Sequence, residues 1–268
     1  MESLICITGA SGGLGKAFAV ECASRGWDLF LTDISKDLLS NLAGSLSSTY
    51  GVDVIYHTCD LTDCSSRREL FRYMEDKSMK FKGLINIAGL DYEGAFVERT
   101  DEQIRKVTRL NIEGNLEMTY GILKLRDRGQ PFRIINVASL AAFYPMPLKA
   151  MYSASKRFLL NFSIALREEL RPIGATVTSL CPAGMPTTAE CIRAIDSQGF
   201  MGRITTKNVG FVAANTIDHA LKGDAVYIPG IINKIIKFVG SLVPPIAVAH
   251  IVGIRWNMAH KKRKVLDL

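Results

Sequence analysis

Tyr152 and Lys156 stand four apart in Tyr152-Ser153-Ala154-Ser155-Lys156. On a helix that spacing puts both side chains on one face, a turn apart. The pairing has a chemical use. A free phenol has a pKa of about 10, so only about one in a thousand is ionised at neutral pH. A neighbouring ammonium stabilises the phenolate. A phenol tuned in this way can take a proton from an alcohol or give one to a ketone oxygen. The same spacing also occurs on ordinary solvated helix faces, so the pair draws its meaning from what surrounds it.

A glycine-rich segment, Thr8-Gly9-Ala10-Ser11-Gly12-Gly13-Leu14-Gly15, follows the first apolar run and opens a helix-like one. Glycines let the backbone approach a pyrophosphate, and a helix N-terminus offers free N–H groups and partial positive charge. Asp33 ends the second apolar run, 18 residues after Gly15. A carboxylate there accepts hydrogen bonds from both ribose hydroxyls of adenosine and repels a 2′-phosphate. Ile34 follows it, and no Arg or Lys precedes Lys16 in the loop, so NAD(H) is expected over NADP(H). Ser139 lies 13 residues before Tyr152, at the end of another apolar run, with its hydroxyl available to a substrate oxygen.

The loop matches T-G-x-x-x-G-x-G, and with Tyr152, Lys156 and Ser139 it resembles the short-chain dehydrogenases/reductases over Leu4 to Pro229. The same eight residues also fit the T-G-x-x-G-x-x-G of larger sugar-nucleotide relatives, which carry a longer C-terminal substrate region. The resemblance implies catalytic roles for Asn111, Ser139, Tyr152 and Lys156. Asn111, in Leu110-Asn111-Ile112-Glu113-Gly114, would help hold a water linking the lysine to solvent. Thr8, Gly9, Ser11, Gly12, Gly13, Leu14, Gly15 and Asp33 would hold the dinucleotide. Asp60-Leu61 falls where the family grips adenine. Asn86-Ile87-Ala88-Gly89 resembles N-N-A-G with Ile87 as the departure; the resemblance makes Asn86, Ala88 and Gly89 cofactor contacts, and Asn86 receives no part in hydride transfer. Cys181-Pro182-Ala183-Gly184 resembles P-G with Ala183 inserted. That insertion leaves Thr187 or Thr188 as the residue meeting the carboxamide; Pro182, Gly184 and Thr187 are taken as the cofactor contacts. Tyr152 and Lys156 also touch the cofactor in relatives, where the positive nicotinamide further favours the phenolate.

These residues need a frame. Apolar runs at Leu4–Thr8, Leu29–Thr32, Val52–His57, Leu84–Ile87, Ile134–Ala138, Thr176–Leu180 and Ala225–Ile228 read as strands covered on both faces. Helix-like stretches alternate with them at Leu14–Arg25, Lys36–Ser47, Ser65–Met79, Glu102–Lys124, Ala150–Glu169 and Thr206–Leu221. The alternation predicts an α/β fold: a single doubly wound parallel sheet of Rossmann type, with helices on both faces. Residues 1–230 would form the dinucleotide-binding and catalytic domain, and 231–268 an apolar and basic C-terminal extension.

Three segments, after Gly89, after Ser139 and after Gly184, should ring the nicotinamide, and they contribute Leu90, Phe96, Leu140, Phe143, Tyr144, Met146, Met185, Phe200 and Met201. An apolar lining suits a steroid, a bile acid or another lipid-like alcohol or ketone better than a sugar. The leading expectation is therefore an NAD(H)-dependent oxidoreductase of hydrophobic secondary alcohols and ketones. A 3-oxoacyl-thioester reductase is the alternative enzyme, and a catalytically silent NAD-sensing or scaffold protein is the alternative outside enzymes. The family leads us to expect a dimer or tetramer.

The chain has 268 residues, 48% apolar and 22% charged, as in ordinary globular proteins. Its six cysteines include no C-x-x-C pair, which predicts a reducing compartment, no disulfides and no metal site. The start shows no charged n-region or cleavable signal, so a cytoplasmic protein is expected. The net charge is +7. Residues 231–268 hold seven basic residues (Lys234, Lys237, Arg255, Lys261, Lys262, Arg263 and Lys264) against Asp267 alone, and so carry nearly all of it. Nucleic-acid proteins spread basic residues over a folded face, and that class is excluded. Phe238–Ile254 has no charged residue, but Pro244-Pro245 should break any spanning helix. Two readings of this extension stand open: peripheral contact with a membrane surface, or packing on the core or on another subunit to close the substrate cleft.

Overall fold

In β1 (Leu4–Thr8), Leu4 and Cys6 face one apolar layer while Ile5 and Ile7 face the other. The same parity divides Phe30 from Leu29 and Leu31, and Leu84 and Ile134 from Ile85 and Ile135. Strands with two apolar faces must be covered on both sides. The computed structural model describes residues 3–266, with side chains through Trp256. Its strands are β1, β2 (Leu29–Asp33), β3 (Val54–Thr58), β4 (Phe81–Asn86), β5 (Arg133–Val137), β6 (Thr176–Leu180) and β7 (Val226–Tyr227). The helices are α1 (Gly13–Ser24), α2 (Lys36–Tyr50), α3 (Cys64–Asp76), α4 (Asp101–Thr108), α5 (Asn115–Lys124), α6 (Ala150–Leu170), α7 (Ala189–Ser197), α8 (Gly199–Thr205), α9 (Val209–Lys222), α10 (Ile231–Ser241) and α11 (Pro245–Leu266).

Among the described residues the strands form one parallel sheet in the order β3-β2-β1-β4-β5-β6-β7. Helices α1, α2 and α9 bury Leu14, Phe18, Leu39, Val212 and Ile217 on one face. On the other, α3 and α5 bury Leu70, Met74, Met118 and Ile122, and α6 adds Leu166 and Leu170. This is the doubly wound sheet expected from the sequence. After β3 the chain crosses back to place β4 beside β1, and the C-terminal ends of those two strands bound the crevice where such sheets bind ligands.

The seven expected strands form, with shifted ends: β3 runs Val54–Thr58 instead of 52–57, and β4 runs Phe81–Asn86 instead of 84–87. The expected helix Glu102–Lys124 is not continuous. A π-helical turn, Arg109–Gly114, separates α4 from α5. It brings Gly114 against the loop after β3, where a Cβ would lie 3.0 Å from the Leu61 carbonyl oxygen. Residues 189–205 form α7 and α8, which the apolar pattern did not reveal. Thr188 caps α7 by accepting from the Cys191 N–H, and Gly199, at φ +64°, turns the chain into α8.

The extension folds as two helices, α10 ending at Ser241 and α11 starting at Pro245, as the proline pair predicts. Asn233 is buried and donates to the carbonyls of Thr205 (2.9 Å) and Pro229 (2.7 Å), tying α10 to α8. The Tyr144 hydroxyl donates to the Ile236 carbonyl at 2.6 Å. Gly240 lies flat on the Tyr144 ring, and Gly253 of α11 on Pro147. The side chains of Lys261, Lys262, Arg263 and Lys264 lie outside the described residues. Among the described residues, no helix is long and apolar enough to cross a membrane.

The tightest point of the frame is Gly15, where an added Cβ would sit 2.0 Å from the Gly9 carbonyl oxygen and 2.8 Å from the Ala10 Cα. Both are backbone atoms and cannot swing aside. Gly15→Ala must push α1 off the loop, at a cost of about 1–3 kcal/mol in stability. Urea unfolding should show a lowered midpoint, and an unchanged midpoint would contradict this packing.

Candidate active site

The glycine loop links the end of β1 to α1. Gly9 has φ +65°, and a Cβ there would lie 2.9 Å from the Ala88 nitrogen. A Cβ at Gly13 would lie 3.0 Å from the Thr187 carbonyl oxygen. Gly12 caps α1 without a side-chain hydrogen bond, and the first turn holds no acid. Leu14 is buried beneath. The first N–H groups of α1 are thus left to an outside acceptor, in the geometry of an anion cradle.

Asp33 closes β2 beside this loop. Its Oδ2 accepts from the Ser11 N–H at 3.0 Å and its Oδ1 from the Ile34 N–H at 2.7 Å. Ile34 itself is exposed. Asp60 is also exposed; its Oδ1 accepts from the Thr62 N–H (2.8 Å) and hydroxyl (2.7 Å). The carbonyl of buried Leu61 accepts from Arg67 at 2.6 Å.

Asn86 is the last residue of β4 and is buried, within the run 84–87 that reads as a strand. It donates to Thr119 Oγ1 (3.0 Å) and Asn136 Oδ1 (2.9 Å), while its own Oδ1 has no protein partner. Thr8 Oγ1 accepts from the N–H groups of Ile87 (3.1 Å) and Ala88 (3.3 Å), locking β1 to the loop after β4. Gly89 is where the site converges. A Cβ there would lie 3.2 Å from Lys156 Nζ and 3.3 Å from Asn111 Oδ1. Asn111 sits in the π-helical turn, accepts from the Leu90 N–H at 2.9 Å, and donates to the Leu90 carbonyl (2.9 Å) and Ser155 Oγ (3.0 Å). π-turns of this kind recur at functional sites because they re-aim one side chain.

Ser139 follows β5 and accepts from the Ala141 N–H at 3.1 Å. Pro182 is anchored beside it, its carbonyl accepting from the Leu140 N–H at 2.8 Å. Thr188 is occupied as the α7 cap, whereas the Thr187 backbone borders Gly13. Gly184 lies against Ile195. Tyr152 and Lys156 share a face of α6, as their spacing predicts. Lys156 Nζ donates to the Val137 carbonyl at 2.7 Å and lies 5.7 Å from the centre of the Tyr152 ring.

Burial dominates the electrostatics of this pair. It pushes the Lys156 ammonium down to about 8. It also raises the Tyr152 phenol above its usual value; the Ser139 hydroxyl opposes that, Asp91 adds to it, and Lys149 opposes it. Desolvation is the largest cause of both shifts; the lowering expected of Lys156 is one it exerts together with a bound, positively charged nicotinamide.

Three groups near the site had no legible signal in the sequence. Lys149, three residues before Tyr152, pairs with Asp91 and, at 3.3 Å, with Glu93. Its Nζ lies 5.7 Å from the Tyr152 ring centre and 5.6 Å from that of Trp256 in α11. It therefore joins the loop after Gly89, the start of α6 and the C-terminal extension. Leu148, just before it, has φ +65° and receives the Gly94 N–H on its carbonyl at 2.8 Å. Arg67 is fully buried, paired with Glu113 and, at 2.6 Å, with Glu117, and it fixes the Leu61 loop to the Asn111 turn. Of the apolar residues expected around the substrate, Phe96 and Phe200 are exposed, and Phe143 and Tyr144 pack under α10.

A family model described as short chain dehydrogenase matches residues 3–193. A very-long-chain 3-oxoacyl-CoA reductase of Laccaria bicolor is 31% identical over 178 residues, which is 65% of this chain and 52% of that protein. The 17-beta-hydroxysteroid dehydrogenase type 3 of Homo sapiens is 32% identical over 186 residues, 68% of this chain and 58% of that protein. The chain thus spans about half the length of the curated relatives it matches. A short-chain dehydrogenase of Sphingobium yanoikuyae in complex with NADPH aligns with a TM-score of 0.74 at 25% identity, covering 91% of this chain and 97% of that one. With the glycine cradle, the strand order and the family match in agreement, the chain belongs to the short-chain dehydrogenase family.

Proposed function

We propose that the chain is an NAD(H)-preferring oxidoreductase that interconverts a secondary alcohol and a ketone on a hydrophobic, steroid-like or other lipid-like substrate. One observation carries the reading: half-buried Tyr152 and buried Ser139 and Lys156 converge beside an anion cradle at the C-terminal edge of the sheet. The cradle from Thr8 to Gly15, with Asp33, Asp60, Leu61, Ala88, Gly89, Pro182, Gly184 and Thr187, has the shape and polarity to hold a dinucleotide. Asn86 supports that wall from below, through Thr119 and Asn136. The nicotinamide group, when bound, supplies the hydride acceptor or donor.

The protein's own residues handle the proton. In oxidation Tyr152 Oη takes the alcohol proton; in reduction it returns that proton to the ketone oxygen. Ser139 Oγ hydrogen-bonds the same substrate oxygen and holds it within reach of Tyr152. Lys156, fixed by the Val137 carbonyl, and Asn111, fixed by Leu90 and Ser155, form the polar floor beneath the phenol. The neutral phenol donates in reduction, and oxidation, which needs the phenolate, gains as pH rises towards the Tyr152 pKa. Assembly into a dimer or tetramer belongs to the same reading.

A 3-oxoacyl-thioester reductase is the second reading, favoured by the names of relatives such as the Laccaria bicolor enzyme. Asp33 beside an exposed Ile34 opposes the 2′-phosphate of the NADPH expected for that reaction. A panel of steroid, bile-acid and aliphatic alcohols and 3-oxoacyl thioesters, each with NAD(H) and NADP(H), separates the two by absorbance of the reduced cofactor. Cofactor binding without turnover in every arm would instead describe an NAD-sensing or scaffold protein.

Three variants probe the mechanism. Tyr152→Phe should lower kcat/KM by about 10²–10⁴, with NADH affinity nearly unchanged by fluorescence titration; near-normal turnover would remove Tyr152 from the chemistry. Asp33→Ala with Ile34→Arg should raise the NADP/NAD ratio of kcat/KM by at least about tenfold. Total cofactor affinity should fall as well, since Asp33 also braces the Ser11 N–H. A wild type that already prefers NADPH would contradict the reading of Asp33. Lys149→Met removes a cation that lowers the Tyr152 pKa and exposes the phenol to Asp91, which raises it. Oxidation needs the phenolate, so its acid limb should move to higher pH, while reduction persists to higher pH. An unmoved pH profile would show that Lys149 does not act on the phenol.

A further inference from the structure

The C-terminal extension has two unlike faces. Its inner face is packed: Asn233 holds α8, Gly240 meets Tyr144, and Gly253 meets Pro147. Its outer face is apolar and open. On α10, Ile231, Ile235, Phe238 and Leu242 recur at helical spacing, with Phe238 61% and Leu242 70% exposed. On α11, Ile251 and Ile254 are exposed on the side away from Gly253, and Ile246, in the helix's first turn, is 86% exposed. A soluble face reverses this pattern, because exposed apolar area of this extent is left only where something covers it.

The charges identify the cover. No Asp or Glu occurs from Ala225 to Leu266. Lys234 is exposed on the same face of α10 as Ile235 and Phe238, and Arg255 is exposed beside Ile254. A second copy of this surface would set cations against cations with no carboxylate to pair them. An anionic bilayer supplies both what the apolar side chains and what the cations need. Neither helix is long and apolar enough to span, so the contact is with the surface of the bilayer. We propose that the outer faces of α10 and α11 dock the protein on an anionic lipid surface, with Phe238 and Leu242 entering the headgroup region and Lys234 and Arg255 on the lipid phosphates. This inference rests on the two faces of the extension and stands apart from the reaction proposed above.

The test is co-sedimentation of the full chain with phosphatidylcholine vesicles, with or without about one third phosphatidylglycerol, at about 0.1 M and about 1 M salt. The full chain should sediment with the anionic vesicles at low salt, much less with phosphatidylcholine alone, and in part be released at high salt. Phe238→Asp with Leu242→Asp should lower vesicle binding by at least about tenfold, with the thermal midpoint and NADH affinity unchanged. Should that pair fail to fold, Lys234→Glu serves in its place and must weaken binding to the anionic vesicles alone. Absence of the full chain from the pellet at low salt overturns the proposal. Equal sedimentation of wild type and variants overturns it too. So does a shift from dimer to monomer in the variants without vesicle binding by the wild type, which would give the face to a second copy. NADH affinity and turnover, read on the same samples, report separately on the proposed reaction.

Discussion

Backbone passing backbone without an intervening Cβ is the constraint on which the rest of this structure depends. At the end of β1 the chain turns through Gly9, whose Cα faces the Ala88 backbone, and enters α1 so closely that Gly15 lies on the Gly9 carbonyl. Gly13 is crossed in turn by Thr187. Three separate loops can therefore meet at one helix N-terminus. Thr8 secures the meeting by accepting two N–H groups from the loop after β4. Because the N-terminus is uncapped, its partial positive charge stays directed into the crevice.

The reacting groups are held by polar side chains that the sheet buries behind them. A row of register partners, Thr8, Asn86, Asn136 and Ser179, crosses the sheet from β1 to β6 near its C-terminal edge. Asn86 passes hydrogen bonds to Thr119 and Asn136, and Asn136 to Ser163 on α6. The helix carrying Tyr152 and Lys156 is thus hydrogen-bonded to the strand below it. Desolvation moves both groups towards neutrality, which suits the proton exchange proposed for Tyr152. Lys149 sets a second cation about as far from the ring as Lys156, and its carboxylate partners bind the loops around it.

The extension joins that site to the surface. Tyr144 and Pro147, from the segment between Ser139 and Tyr152, are covered by α10 and α11, and Trp256 reaches Lys149. The sequence leaves cleft closure and contact outside the chain as rival readings. In the structure the inner sides of the helices pack on the catalytic loops while their outer sides stay apolar. Packing on the loops leaves the outer side of each helix free because the two faces point apart.

Local rules made much of this legible in the sequence. Continuous apolar runs announce buried parallel strands. Glycine spacing announces the cradle, a spacing of four announces the shared face of Tyr152 and Lys156, and Pro244-Pro245 announces the break between α10 and α11. Each depends on neighbours along the chain. What only the tertiary structure decided came from residues far apart in sequence. Asn86 owes its burial and its partners Thr119 and Asn136 to the strands β1 and β5 that flank it. The π-turn at Asn111 breaks an apparently uniform helix to fit Gly114 under Leu61. Lys149 meets Asp91 and Glu93 only because α6 returns over the loop after β4. The upward shift of the Tyr152 phenol likewise comes from its packing. Spacing alone places a cation near a phenol, but desolvation depends on everything packed around both, and packing is not local.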